Sequence, residues 1–218
     1  NVPSCSTGIT AVWNPATDAL SGLNGYNGAW NANPNHVGSE IINVGAATTS
    51  SSTTLSPGAW YFHIRPVDRS GNWGTTQHLG PFQIISGGTG NYCVANVNST
   101  GAGAVMTSSG TTSLAANNFV IHASNLPTNQ PSLFFYGQGQ TNVAFGNGRL
   151  CINGLIIRLP VIYTGLGSIQ MPIDYNTLPA LGQIAVGSTW NFQNWYRDPQ
   201  GGGAAFNLTN GLTATFCN

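Results

Sequence analysis

Fixed charge is the property that this sequence lacks most. Its 218 residues include five basic and five acidic side chains, the basic ones are all arginine, and lysine is absent. Charged residues make up 5% of the chain, against about 25% in a typical soluble domain. Proteins that hold nucleic acid or an anionic membrane surface through phosphate contacts need clustered Lys and Arg. We therefore expect no nucleic-acid partner and no binding to an anionic membrane surface.

The chain also lacks the short motifs that mark common enzymes, and it has no long apolar run. None of the patterns GxSxG, HExxH, CxxC and GxxxxGK[ST] occurs in it. Its five carboxylates are spread over the whole sequence, so a glycosidase pair is not indicated. The apolar stretches fall well short of the ~20 residues that cross a membrane. We predict a protein that is not an enzyme, inserts in no membrane and has no cofactor other than the calcium considered below.

Apolar and aromatic residues are present in the amounts that a folded core needs. They make up 41% of the chain and include six Trp, seven Tyr and nine Phe. The 29 Gly and 12 Pro recur every few residues, which excludes long helices and favours many short strands. Strand-like alternation is clearest in residues 59–68, where Trp60, Phe62 and Ile64 share one face. The sequence therefore predicts an all-β protein, and the resemblances described below imply two tandem antiparallel β-sandwich domains.

A short run of small residues divides the chain. Residues 87–90 are Gly, Gly, Thr and Gly, a composition typical of a flexible linker. This linker separates an N-terminal domain at 1–86 from a C-terminal domain at 91–218. Within the N-terminal domain, strands are also expected at 9–13 and 26–30.

The four cysteines, Cys5, Cys93, Cys151 and Cys217, are widely separated and show no zinc-ligand spacing. They indicate disulfides formed in an oxidising compartment, and so an extracellular or cell-surface protein. Four cysteines allow three pairings. We favour Cys93–Cys217, because these residues open and close the C-terminal domain, where the first and last strands of a sandwich often meet. The pairing of Cys5 and Cys151 stays open. The chain begins at Asn1 with neither Met nor a signal peptide, which predicts a processed or excised piece.

The N-terminal domain resembles the fibronectin type III-like domains of large secreted bacterial proteins. The matching segments are VWNPATDALSGLNGY, GAWYFHIRPVDRSGNWG and LGPFQI, and the resemblance covers nearly all of residues 1–86. It implies a sandwich in which the loops after the second and sixth strands lie at the same end.

The loop placement that this resemblance implies leads to the hypothesis of a calcium site. It places Asp18 in the first of the two loops and Asp68, with Asn72, in the other. Together with backbone carbonyls these side chains form an oxygen-rich set that suits calcium. The favoured alternative is a pair of hydrogen-bonded loops with Arg69 as the counter-ion. Thermal melts with calcium and with EDTA separate the two, because only a metal site gives a shift in melting temperature.

The C-terminal domain resembles a module found in secreted proteins of Planctomycetes and similar bacteria, a group without an assigned activity. The matching segments are NYCVANVNSTG, PSLFFYGQGQTNVAFGNGRLCI, IIRLPV, IDYN and WNFQNWYRDPQGGGAAFNLTNGLTATFCN, and they run through most of residues 91–218. Family members often carry further cysteines that form local disulfides, and this chain has Ala102 at one of those positions. Their absence favours the Cys93–Cys217 pair. The resemblance implies an antiparallel sandwich or jelly roll.

A sugar-binding surface is suggested by alternation in residues 190–197. We expect the core to receive the more apolar set, which is Trp190, Phe192, Asn194 and Tyr196. The other set leaves Trp195 between Gln193 and Arg197 on the outer face. A tryptophan beside amide and guanidinium groups could stack on a sugar and bond its hydroxyls. The alternative is a tryptophan covered by a loop or by the neighbouring domain.

These observations favour a non-catalytic secreted or cell-surface module that serves adhesion, surface structure or self-assembly. Sparse charge suits this role, because net charge normally keeps identical subunits apart. The expected partners are copies of the chain itself or a polysaccharide or cell surface. The alternative is a carbohydrate-binding appendage excised from a larger secreted hydrolase.

Overall fold

The computed structural model describes residues 2–218 and confirms the all-β prediction. These residues form antiparallel sheets, turns and two single-turn 3-10 helices. The chain divides into two compact units, Asn1–Ser86 and Gly87–Asn218, and this boundary coincides with the start of the predicted linker. In the described part of the chain, no helix has the length and apolar character needed to cross a membrane.

The first unit contains six strands in two sheets. In chain order they are β1 Gly8–Val12, β2 Leu23–Asn31, β3 Val44–Gly45, β4 Ser50–Thr54, β5 Gly58–Asp68 and β6 Gln77–Ile84. Strand β1 pairs with β4, and the larger sheet has the order β3-β2-β5-β6. The strands predicted at 9–13, 26–30 and 59–68 are found as β1, β2 and β5. The likeness to a fibronectin type III domain stays a prediction.

An aromatic cluster forms the core of the first unit. Phe62 of β5 is almost fully buried, and the rings of Trp13 and Trp30 lie 5.3 and 5.0 Å from its ring. Ala11 of β1 and Tyr26 of β2 are buried in the same cluster. Such ring contacts add to the stabilisation that burial of apolar surface gives. Phe62 and Ile64 of the predicted apolar face of β5 therefore lie in the core, whereas Trp60 is half-buried and lies outside this cluster.

The second unit contains eleven strands in three sheets. They are β7 Gly88–Tyr92, β8 Val105–Ser109, β9 Val120–Ser124, β10 Pro131–Gly137, β11 Gly139–Phe145, β12 Gly148–Asn153, β13 Ile157–Tyr163, β14 Ile169–Pro172, β15 Thr189–Arg197, β16 Phe206–Leu208 and β17 Gly211–Thr215. The largest sheet has the order β13-β10-β15-β17-β7, with β16 also paired to β15. The other two sheets are β14-β9-β8 and the hairpin β11-β12. The 3-10 turns are Ala180–Gly182 and Pro199–Gly201.

The prediction of a linker at 87–90 is wrong, because most of this run belongs to a strand. Residues 88–90 lie in β7, where Gly88 pairs with Thr215 and Gly90 with Thr213 of β17. The backbone N–H and C=O groups of glycine can form the hydrogen bonds of a β-ladder, as those of other non-proline residues do. The small side chains suggested a flexible segment, but the backbone of residues 88–90 pairs with the edge of β17 and forms part of the sheet.

The six-stranded sheet has apolar side chains on both faces. Its inner face packs against the β14-β9-β8 sheet, in a core that includes Phe134 of β10, Phe192 of β15 and Ile121 of β9. The residues that were predicted to face the core are buried, namely Trp190, Phe192, Asn194 and Tyr196. The β11-β12 hairpin covers part of the outer face, where Phe135, Ile152 and Leu208 form a second, smaller cluster.

The predicted Cys93–Cys217 disulfide is wrong, since Cys93 is bonded to Cys151 with their Cα atoms 6.1 Å apart. All four cysteines are in disulfides, and no described cysteine is free. Strands β7 and β17 do pair, but they are antiparallel, with Tyr92 opposite Gly211. Cys93 and Cys217 therefore lie near opposite ends of the ladder, roughly 20 Å apart at ~3.4 Å per residue. A disulfide needs Cα atoms closer than about 7 Å.

Candidate functional site

The outer face of the six-stranded sheet holds an apolar pocket of about 320 Å³. Its floor and walls include Leu133 and Phe135 of β10, Trp195 of β15, Leu208 of β16, Leu150 of β12 and Phe145 of β11. Strand register explains this convergence, because residues opposite one another on neighbouring strands share a face. Leu133 is opposite Trp195, and Trp195 is opposite Leu208. The sheet thus supplies a continuous apolar floor, and the hairpin supplies a wall.

Trp195 and Arg197 lie on the outer face, as predicted. The Trp195 ring is half-buried and packs against Phe206, with 5.6 Å between the ring centroids. Arg197 is opposite Phe206 in the ladder and is also half-buried. Packing against Phe206 covers part of the Trp195 ring, and the rest of the ring lines the pocket.

Gln193 is wrong as a sugar ligand, because its side chain is fully buried beneath the hairpin. Its amide nitrogen donates to the carbonyl oxygens of Thr209 at 2.7 Å and Arg149 at 2.8 Å. Its amide oxygen accepts from the backbone N–H of Cys151 at 3.0 Å. Buried polar groups need such partners, and here they tie β12 to β15. Gln193 is a structural residue that holds the hairpin in place.

The two loops of the calcium prediction lie together in the first unit. The backbone N–H of Arg69 donates to the carbonyl oxygen of Gly22 at 3.0 Å. One carboxylate oxygen of Asp18 accepts from the backbone N–H and hydroxyl of Ser21 and from the N–H of Gly22, at 2.7 to 2.8 Å. These hydrogen bonds, first of all those from Ser21, lower the pKa of Asp18. The neighbouring Asp68 opposes this shift weakly.

Asp68 organises its own turn in the same way. Its Oδ1 accepts from the backbone N–H groups of Ser70 and Asn72, both at 2.8 Å, and its Oδ2 accepts from the Asn72 side-chain amide at 2.8 Å. The bonds from Asn72 are the main reason that the pKa of Asp68 is lowered. The two carboxylates therefore have internal donors that a cation would have to compete with. The calcium site stays a prediction.

The expected counter-ion is not found in these loops. Among residues 2–218 the ion pair joins Arg65 to Glu40, with 3.5 Å between Nη1 and Oε1. Arg69 contributes its backbone N–H instead. In the same described part of the chain, no group of three or more His, Cys, Asp or Glu side chains is placed to hold a metal ion. Hydrogen bonds within and between the loops account for their proximity.

A serine–histidine pair that motif searching missed lies on the β14-β9-β8 sheet. Ser109 Oγ is 2.8 Å from His122 Nε2, because the ladder places the two residues diagonally across β8 and β9. A catalytic pair also needs a group that orients the histidine. Asp174 is bonded to Asn117 and its own turn. Asp198 is fully buried and accepts from a backbone N–H. Within residues 2–218, the pair thus sits on a sheet face without an orienting carboxylate.

Three histidines also meet on the outer face of the β3-β2-β5-β6 sheet. His63 of β5 and His78 of β6 are opposite one another, with 2.7 Å between their Nδ1 atoms. The ring of His36, from the loop after β2, lies 5.2 Å from the His63 ring. His63 is buried, and burial, followed by the charges of His78 and His36, lowers its pKa. The period-2 pattern of β5 gave a signal for this face, but the pairing register was needed to bring the rings together.

This histidine cluster predicts an acid-sensitive first unit. A histidine whose folded-state pKa lies below its unfolded value of about 6.5 binds more protons when unfolded. The contribution of this histidine to the free energy of unfolding is then fully present above that pH and is lost as the pH falls towards the folded-state pKa. Protonation of both rings also breaks the Nδ1–Nδ1 hydrogen bond. We expect the melting temperature of the first unit to fall between pH 7.5 and 5, and to fall less in His63→Gln.

The control for this prediction is His122→Gln, since His122 lies in the second unit. That variant should retain the full pH dependence of the first unit's melting temperature. An identical pH profile for His63→Gln and the wild-type chain would refute the role of His63. Calorimetry at a series of pH values gives both results.

Comparison with known proteins finds a distant structural likeness. No protein-family model matches the chain, and a search of curated proteins found no match. A solved structure described as a tetra-tandem repeat in the extending region of a large adhesion protein is similar at a TM-score of 0.32 and 11% sequence identity. The alignment covers 98% of this chain and 50% of that one, so this chain spans about half its length. A likeness this distant assigns no function.

Proposed function

We propose that the protein is a non-catalytic secreted or cell-surface module that serves adhesion or surface structure by packing against copies of itself. The observation that carries this proposal is the exposed apolar side of the edge strand β13. Val161 and Tyr163 are 61% and 70% exposed there. They continue the apolar floor of the pocket, because Val161 is opposite Leu133. Exposed apolar patches of this kind mark protein–protein contact sites.

The charge distribution supports close packing at this strand. The second unit has two carboxylates, and Asp198 is fully buried while Asp174 is bonded within a loop. Arg158 is the single charged residue of β13 and of its neighbour β10. Two copies that approach along β13 bring one arginine each, and the other arginine placed on this face, Arg197, lies two strands away on β15, which limits like-charge repulsion at β13. The disulfides support a secreted location.

Side chains, rather than backbone pairing, would make this contact. Strand β13 is an edge strand, but its ladder to β10 has an irregular register between Leu133 and Phe135. Pro160 lies in the same stretch and has no backbone N–H to donate. Bulges and prolines are common devices that prevent edge-to-edge strand addition. The proposed interface is thus the apolar face of the sheet and not its edge.

Sedimentation velocity tests this proposal. We expect the wild-type chain to self-associate as its concentration rises about a hundredfold through the micromolar range, and the double variant Val161→Lys/Tyr163→Lys to stay monomeric. The matched control is Val94→Lys/Leu166→Lys, which adds the same charge at positions that are 74% and 96% exposed. A wild-type chain that is monomeric throughout would overturn the proposal. Equal loss of association in both variants would overturn the assigned surface.

Carbohydrate binding is the second candidate, and the observation that favours it is the part-exposed ring of Trp195 at the pocket. Its test is retention on an insoluble polysaccharide. Binding that Trp195→Ala abolishes would support it, and passage of the wild-type chain without retention would remove it.

A further inference from the structure

We propose that the outer-face pocket binds a small apolar group that carries one carboxylate, with Arg158 as the residue that receives the carboxylate. This inference goes beyond self-association, because a monomer contains the whole pocket. It starts from the lining, which is formed almost entirely by aliphatic and aromatic side chains. A volume of about 320 Å³ lies at the lower end of the ~300–1,000 Å³ typical of small-molecule sites. Such a volume suits one aromatic ring or one branched aliphatic chain.

Arg158 supplies the polar part of the site. It lies on β13, lines the pocket and is exposed. Within residues 2–218, no hydrogen bond or ion pair engages its guanidinium. Arg149, by contrast, is bonded to Asn142. A guanidinium presents paired donors that match the two oxygens of a carboxylate.

One disulfide and two hydrogen bonds hold the β12 wall of the pocket in place. Strand β12 forms one wall, and its Cys151 is bonded to Cys93. The carbonyl oxygen of Cys151 accepts from the Tyr92 hydroxyl at 2.9 Å, and its N–H donates to Gln193 at 3.0 Å. Three links at Cys151 therefore fix this wall, two of them to the adjacent residues Tyr92 and Cys93 and one to Gln193 of β15. A preformed pocket does not have to spend ligand affinity on ordering its walls.

The charge of the lining residues determines whether the pocket favours an anionic, neutral or cationic ligand. Among the described residues, no acidic side chain lines the pocket, and Arg158 is the single charged residue that does. An apolar amine would place its cation beside the guanidinium, whereas a neutral amide would lose the charge-assisted hydrogen bonds. Such bonds are roughly twice as strong as neutral ones. The geometry therefore favours the carboxylate form over its amide and its amine analogues.

Calorimetric titration of the full chain with 3-phenylpropionate and with its matched amide, 3-phenylpropanamide, tests this proposal. We expect one site per chain, a Kd of about 1 mM or tighter for the acid, and binding of the amide about tenfold weaker. Arg158→Gln should remove the preference for the acid, and Arg158→Lys should restore part of it. Arg69→Gln, which removes the same charge from the first unit, should leave the preference intact.

A second pair of variants keeps the test independent of charge. Ile156→Trp fills the pocket, of which Ile156 is a lining residue, and should abolish binding of both compounds. Leu166→Trp adds the same ring at an exposed position and should have no effect. Absence of binding to the wild-type chain, or an acid preference that survives Arg158→Gln, would overturn the proposal.

The carboxylate could come from a free acid or from the C-terminal residue of a polypeptide, and two peptides distinguish these sources. Both end in Phe, one with a free carboxylate and one amidated. If the peptide with a free carboxylate binds as tightly as the acid, the proposal is supported and the ligand is the C-terminal residue of a polypeptide. Binding of the acid alone would support the class with a small molecule as the ligand.

Discussion

The double variant Cys93→Ser/Cys151→Ser should lose about 4 kcal/mol of stability in the second unit. The disulfide joins residues 58 apart in sequence, and the chain-entropy relation gives about this value for a loop of that length. The melting temperature of the second unit should fall by roughly 10–20 °C. The loss of stability should be concentrated at the β11-β12 hairpin, because the Cys93–Cys151 disulfide anchors this wall of the pocket. Urea unfolding that resolves the second unit, read as midpoint and slope, measures the effect.

The control for the disulfide variant is Val94→Ser, which is adjacent to Cys93 and 74% exposed. It changes a neighbouring side chain without removing a cross-link, so its free energy of unfolding should stay within about 0.5 kcal/mol of the wild-type value. A double cysteine variant as stable as Val94→Ser would show that the hairpin is held by its non-covalent links alone.

Phe192→Ala should cost the second unit about 3–5 kcal/mol, the range measured for removing a fully buried phenylalanine. Phe192 is fully buried at the centre of the inner core. Its ring centroid lies 5.8 Å from that of Phe119, 5.5 Å from Tyr136 and 6.3 Å from Phe216. Truncation would leave a cavity between strands of two sheets, which backbone movement of paired strands cannot readily close. Denaturant unfolding of the second unit measures this cost.

Phe145→Ala provides the matched deletion at the pocket rim. Phe145 is 47% exposed, and its ring packs on one side against Phe206. The same atoms are removed, but much of their surface is already in water, so the expected cost is about 1 kcal/mol or less. Equal destabilisation by the two variants would contradict the division into an inner core and a shallower outer cluster.

Period-2 alternation carried most of what the sequence could predict. It located β5 and β15 and assigned Phe192 and Tyr196 to the core, because side-chain direction in a strand depends only on the parity of the position. Composition excluded helices, since glycine and proline interrupt every long segment. The resemblance of the N-terminal domain to fibronectin type III-like domains predicts that the loops of Asp18 and Asp68 lie close together. The two loops are indeed neighbours in the structure.

The errors concern contacts that depend on register and on covering layers. Antiparallel pairing of β7 with β17 separates Cys93 from Cys217, and no local pattern specifies which ends of two strands coincide. Gln193 faces outward from its sheet, but a hairpin more than forty residues away in sequence lies over it. Alternation reports a face and not what covers that face. The pocket was missed for the same reason, because it exists only between the sheet and the hairpin.

Hydroxyl-radical footprinting of dilute and concentrated samples tests most directly the central claim that the chain works by apolar contact through the outer face of its second unit. Tyr163 on β13 is the reporter, since it is 70% exposed in the single chain and its ring reacts readily. The account predicts that oxidation of Tyr163 falls as concentration rises, while oxidation of Tyr61 in the first unit stays constant. Unchanged oxidation of Tyr163 in samples that sedimentation shows to be associated would contradict it.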